Sequence, residues 1–249
     1  MTTHKETIDR FFQASVEACK EVYELLEQPL SDEDLKGETI GAGGDVSLLI
    51  DIKAEKIFFK YFAPFASIYS EEFGLFGEGD YKIILDPIDG SDNFVSNFPY
   101  YGASMALQYK DETIAALVCN LANGDIYYKL DKEPAHRTSL HHNEQVKLEI
   151  NHHSKVGIFE KSALFTKIID KLIENKLKFR SPGAVALSLV YAFDAKFMIF
   201  LGSKRSFDLE AGLFITNELY RYEAEEMIVI SHKEATLAEI KSIILGEKI

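Results

Sequence analysis

One segment limits what this chain can fold into more than any other: Asp86-Pro87-Ile88-Asp89-Gly90-Ser91-Asp92-Asn93-Phe94, directly after apolar Ile83, Ile84 and Leu85. The apolar residues read as the end of a buried strand, from which Asp86 and Asp89 emerge on either side of a proline turn, so that their carboxylates converge. Gly90 permits a sharp turn, and a turn of helix starting near Ser91 would aim open N–H groups at an anion. Two acids beside an anion cradle contradict each other unless cations stand between them. Hard cations such as Mg²⁺ take carboxylate, carbonyl and phosphate oxygens together. Taken alone, an Asp-x-x-Asp segment is most simply a turn with capping roles. The rest of the chain has to decide.

With 249 residues, 47% hydrophobic and 27% charged, the chain can bury a sizeable core as one large domain or two small ones. Apolar spacing predicts a long helix over 4–27, closed by Pro29, and a second over 46–62, with a mobile glycine-rich loop at 37–44 between them. Strands are expected at 66–69 and 81–85, then a meander at 101–108, 113–121 and 125–130 with Asn123-Gly124 as its turn. Beyond residue 150 the pattern alternates, with helices at 165–175, 185–193, 207–220 and 235–245 and strands at 177–180, 196–201 and 227–231. The change of pattern predicts an N-terminal subdomain, 1–150, and a C-terminal α/β subdomain, 151–249. Together they are expected to form one compact unit.

Further acids lie at neighbouring places. Ser70-Glu71-Glu72-Phe73-Gly74 follows the other short strand, and Phe207-Asp208-Leu209-Glu210-Ala211-Gly212 begins a helix. In Asp45-Val46-Ser47-Leu48-Leu49-Ile50-Asp51, the last acid sits among Leu48, Ile50 and Ile52, a poor place for a carboxylate without a partner. From residue 45 to 212 these segments resemble the inositol monophosphatase family, within the metal-dependent, lithium-sensitive sugar phosphatases. The resemblance implies a five-layered αβαβα fold. It implies a homodimeric, Mg²⁺-dependent phosphomonoesterase that uses a metal-activated water on a small soluble sugar or polyol phosphate. Glu71, Asp86 and the carbonyl of Ile88 would hold one Mg²⁺, Asp86, Asp89 and Asp208 a second, with Glu71 contributing to a third. Ser91 would orient the attacking water with Asp51 accepting its proton. N–H groups of Gly90 and Ser91 would hold phosphate, and Gly183 and Ala184 would line the substrate side.

Departures from the family pattern bear on the substrate. Its common lysine ahead of Asp45 falls on Ile40, with Lys36 as a substitute, and its inositol-selecting glutamate falls on Leu201. Lys204 and Arg205, near Asp208, suit a second anionic group on the substrate as well as they suit a solvated basic turn. Alternatives are therefore the same chemistry on a sugar bisphosphate, an adenosine 3′,5′-bisphosphate or histidinol phosphate, or a catalytically silent binder of phosphate metabolites or a protein. A net charge of −13 argues against nucleic acid and anionic membranes as partners. The polar N-terminal segment and the lack of a long apolar run suggest a cytoplasmic protein. His136, His141, His142, His152 and His153 read as surface decoration.

Overall fold

The computed structural model describes residues 4–44, 46–142 and 144–246. An apolar stripe through Ile8, Phe11, Cys19 and Val22 forms the buried face of α1 (His4–Leu26). The glycine-rich stretch, expected as a loop, is a hairpin in which β1 (Gly37–Ile40) pairs antiparallel with β2 (Val46–Leu48). Asp45 lies outside the described residues. The second helix, α2 (Leu49–Phe62), starts later than its apolar periodicity suggests. Leu48 is still extended, and its N–H donates to the Asp51 carboxylate at 3.1 Å, which closes the strand and opens the helix.

There follow β3 (Ser67–Ser70), β4 (Gly74–Phe76), β5 (Tyr81–Asp89), the short α3 (Ser91–Val95), β6 (Gly102–Tyr109), β7 (Glu112–Asn120), β8 (Asp125–Leu130), β9 (His136–Ser139) and β10 (Val146–Lys147). They make an eight-stranded sheet in the order β10-β9-β8-β7-β6-β5-β3-β4, antiparallel except for β3 beside β5. The second half supplies β11 (Val156–Glu160), α4 (Thr166–Glu174), β12 (Lys178–Arg180), α5 (Val185–Val190), β13 (Met198–Leu201), α6 (Ser206–Ile215), β14 (Tyr220–Ala224), β15 (Met227–Ser231) and α7 (Glu234–Gly246). Their strands form a five-stranded mixed sheet in the order β12-β11-β13-β15-β14.

Three buried clusters separate five layers. Phe11, Phe58 and Phe62 of α1 and α2 pack on Ile83, Leu85 and Leu117 of the large sheet. Its other face meets Leu187, Leu189 and Leu209 of α5 and α6, which also cover Met198 and Ile228 of the small sheet. Ile168 and Ile240 of α4 and α7 close the far side over Phe159 and Val229. The layers therefore run αβαβα. The sequence reading missed β11, whose run is broken by Gly157, and placed Tyr220 in a helix that ends at Ile215. Tyr220–Ala224 instead forms an outer strand paired to β15.

Candidate active site

Because β3 and β5 run parallel with Ser70 level with Leu85, the residues that follow them, Glu71 and Asp86, emerge side by side. The Glu71 N–H donates to the Leu85 carbonyl at 3.1 Å and holds that register. Ligands gather at such carboxyl ends of parallel strands. Pro87 has no N–H to give to the ladder. There the pairing slips, from Asp86 opposite Ser104 to Asp89 opposite Gly102, one residue more on β5 than on β6. This bulge turns the strand end at Ile88, and the Ile88 N–H caps Asp86 Oδ1 at 3.0 Å. Asp208 arrives from the first turn of α6, which Ser104 anchors by donating its hydroxyl to the Phe207 carbonyl at 3.2 Å. One oxygen from each of Glu71, Asp86 and Asp208 lies within 4.8 Å of the others.

Asp89 stands beside this group and faces α5. It accepts the N–H groups of Val185 at 3.0 Å and Ala186 at 2.7 Å. Gly90 then turns with φ +88°, and a Cβ there would lie 3.0 Å from Ala184 Cβ and 3.1 Å from the Gly183 carbonyl. Only glycine suits that place. Asn93 ties the turn down by donating to the carbonyls of Tyr100 and Pro182, both at 2.8 Å. Above Glu71 the hairpin tip closes in, with Gly43 N–H on the Glu71 carbonyl at 2.7 Å and Ala42 N–H on that of Glu72 at 3.1 Å. A Cβ on Gly43 would meet the Glu71 side chain at 2.6 Å.

Burial pushes Glu71 and Asp51 up to about 7; Glu72 adds to both, while Arg205 draws Glu71 down. Asp86 and Asp89 lie well above the ordinary carboxylate range, burial first and neighbouring acids second. Asp51 Oδ1 is buried with no hydrogen-bond partner among the described residues. Crowded, desolvated carboxylates are what a divalent cation relieves, and the donor set is all oxygen, as Mg²⁺ requires. The residues fit a metal.

A pocket of about 490 Å³ gathers Asp51, Glu71, Asp86, Ile88, Asp89, Gly90, Ser91, Gly183, Arg205 and Asp208. Ala184 is buried behind Gly90, and Leu201 packs in the core against the outer helices. Among the described residues no hydrogen bond joins Ser91 to Asp51. Lys204 pairs with Glu223 at 3.0 Å. Sequence reasoning missed Glu160 and Lys161, which also line the pocket. Glu160 is buried, accepts the Gly183 N–H at 3.1 Å and the Ser188 hydroxyl, and so holds the wall opposite Gly90. The signal was an acid ending an apolar run, as at Asp86. Glu55 was missed too; inside α2, it accepts the Phe73 N–H at 3.0 Å and the Ser70 hydroxyl, bracketing the Glu71–Glu72 turn.

Layered sheets enclosing helices, with a carboxylate cluster able to hold a cation beside a tight glycine turn, define a class of α/β proteins. The inositol monophosphatase family model matches residues 7–219, and the chain belongs to that family. It is 29% identical over 163 residues to the fructose-1,6-bisphosphatase/inositol-1-monophosphatase of Archaeoglobus fulgidus, over 61% of this chain and 59% of that one, less than two-thirds of the relative's length. The protein of the same description in Methanothermobacter thermautotrophicus is 27% identical over 224 residues, 76% of this chain and 78% of the other. The extragenic suppressor protein suhB from Bartonella henselae shares the fold, with a TM-score of 0.78 at 18% identity over 95% of this chain and 99% of that one.

The two adjacent glutamates should behave differently. Glu71 belongs to the acid cluster, whereas Glu72 accepts the Ser47 hydroxyl beside the hairpin. Glu71→Gln is expected to raise the Mg²⁺ requirement and lower kcat by about 100-fold. Glu72→Gln should stay within about threefold of the parent. A Mg²⁺ titration of kcat in both variants checks this, and a larger loss at Glu72 would show that the other acid faces the cation.

Proposed function

We propose that the chain is a Mg²⁺-dependent phosphomonoesterase acting on a small soluble sugar or polyol phosphate. The observation that carries this reading is the convergence of Glu71, Asp86 and Asp208 within 4.8 Å of one another, beside the Gly90–Ser91 turn. Glu71, Asp86, the Ile88 carbonyl, Asp89 and Asp208 would hold two or three Mg²⁺. Bound there, the metal would supply a water of lowered pKa and a Lewis acid for phosphoryl oxygens. The protein's own part is positional. Gly90 and Ser91 offer N–H groups at the start of α3, where phosphate oxygens are favoured. Ser91 orients the water, and Asp51, whose Oδ1 has no other partner, takes its proton. Gly183, held by Glu160, bounds the substrate side.

The substrate reading extends to bisphosphates. The relatives above are named fructose-1,6-bisphosphatase/inositol-1-monophosphatase, and Lys161 adds a cation to the pocket wall. Leu201 offers no carboxylate to select inositol, so inositol monophosphate should rank no higher than other small phosphates. A homodimer in the cytoplasm, with the two halves of each chain acting as one catalytic unit, completes the proposal. No helix among the described residues is long and apolar enough to cross a membrane.

The test is phosphate release from a panel of phosphomonoesters and bisphosphates, ranked by kcat/KM. Mg²⁺ should support turnover. Ca²⁺, with longer bonds and more ligands, should bind yet cut kcat by about 100-fold or more. Full activity in chelator, or in Ca²⁺ alone, would rule out the proposal.

A further inference from the structure

Arg205, immediately before α6, reaches over the helix start into the acid cluster. Its Nε donates to Asp208 Oδ2 at 2.9 Å and its Nη2 to Asp208 Oδ1 at 3.0 Å, a fork on both carboxylate oxygens. Its Nη1 lies 2.9 Å from Glu71 Oε1 and donates to the Gly43 carbonyl at 3.4 Å. One guanidinium therefore joins two of the three clustered acids to the tip of the β1–β2 hairpin. Asp208 is 2% exposed at its side chain, so the pair is desolvated on the acid side. Forked pairs of this kind are strong and directional.

The fork engages both oxygens through which Asp208 would hold a cation. A positive guanidinium in hydrogen-bond contact with two ligands of a divalent ion also repels that ion across a short, poorly screened gap. We propose that Arg205 is a built-in competitor of the metal: guanidinium and divalent cation exclude each other at Asp208, and loading requires the arginine to leave. Before loading, Arg205 offsets part of the cluster's charge and fastens the hairpin over Glu71. On loading it releases Asp208. The chain thereby sets its own metal threshold, at the cost of affinity. The inference rests on reading the cluster as a cation site, and measuring metal binding apart from hydrolysis separates the two.

Titration calorimetry with Mg²⁺ and Mn²⁺, together with thermal melts in EDTA and in saturating Mg²⁺, compares the parent with Arg205→Ala. The variant should bind Mg²⁺ about tenfold more tightly, melt lower in EDTA and gain more from Mg²⁺. In the parent, the Arg205 Nε–H resonance, assigned by its disappearance in Arg205→Lys, should be slow to exchange in EDTA and should shift or broaden as Mg²⁺ saturates. Unchanged or weaker Mg²⁺ binding in Arg205→Ala overturns the proposal. So does an Nε–H resonance that is the same with and without Mg²⁺, a measurement that needs no folded alanine variant. If the parent binds neither metal, the cation-site reading fails and this inference with it.

Discussion

Asp86→Asn is expected to lower kcat by about 1,000-fold or more while making the metal-free protein more stable. The two effects have one origin. Asp86 is 2% exposed, and burial together with Glu71, Asp89 and Asp208 pushes its carboxyl well above the ordinary range. Asparagine keeps the Oδ1 that accepts the Ile88 N–H, so the strand end should hold its shape. What it loses is the charge that would anchor a cation and that burdens the metal-free protein. In the unfolded chain this carboxyl titrates near 3.8, and in the fold it titrates higher. Between those values the folded state holds more protons. The favourable contribution is therefore complete below the unfolded value and is lost as pH rises through the folded one. In EDTA the parent should melt progressively lower as pH rises from 4 through neutrality. Asp86→Asn should show a flatter decline and melt higher than the parent at neutral pH. Melting both proteins across that range decides it. A variant less stable than the parent at neutral pH in EDTA would mean that the acid is satisfied without a cation.

Ser91→Ala and Asp51→Asn should each lower kcat by about 150-fold, about 3 kcal/mol in the barrier, with little change in KM. Both line the pocket, and the free Oδ1 of Asp51 is the buried acceptor nearest in role to the water that Ser91 would orient. If, as proposed, they serve one proton path, the double variant should lose little more than either single one. With Asp51 pushed up to about 7, chiefly by burial, the parent's rate should rise with pH through that region in subsaturating metal. Asp51→Asn should flatten that limb. Because Asp51 Oδ2 also accepts the Leu48 N–H at the start of α2, each variant's melting temperature must be measured alongside. A double variant showing the full product of the single losses would mean that the two groups act independently.

Much of the site was legible because its acids sit at places where local rules apply. Asp86 and Asp89 follow an apolar run and flank a proline, and Asp208 opens a helix, so their surroundings are written within a few residues. Arg205 was visible as a charge, but whether it faced solvent, substrate or its own acids depended on how α6 meets β5 and the hairpin. The hairpin itself was hidden because β1 and β2 are short, and glycine runs read locally as loops. Glu55 and Glu160 were passed over for a similar reason. A glutamate in a helix or at a strand end looks ordinary until its partners, Phe73 in one case and Gly183 in the other, arrive from distant sequence.

The sequence alone determined that the chain has two apolar regimes, an early meander and a later alternation, and that strand ends and one helix start carry acids. Those features are short-range: side-chain periodicity, proline's missing N–H and glycine's tolerance of positive φ act between near neighbours. The register that sets Ser70 level with Leu85, and so brings Glu71 beside Asp86, was left to the tertiary structure. So was the placing of α5 and α6 between the sheets, which supplies the amides for Asp89 and carries Asp208 to the cluster. Those contacts join residues up to about 140 positions apart, and only the burial of both sheet faces against shared helices selects them over the other pairings that the same local preferences allow.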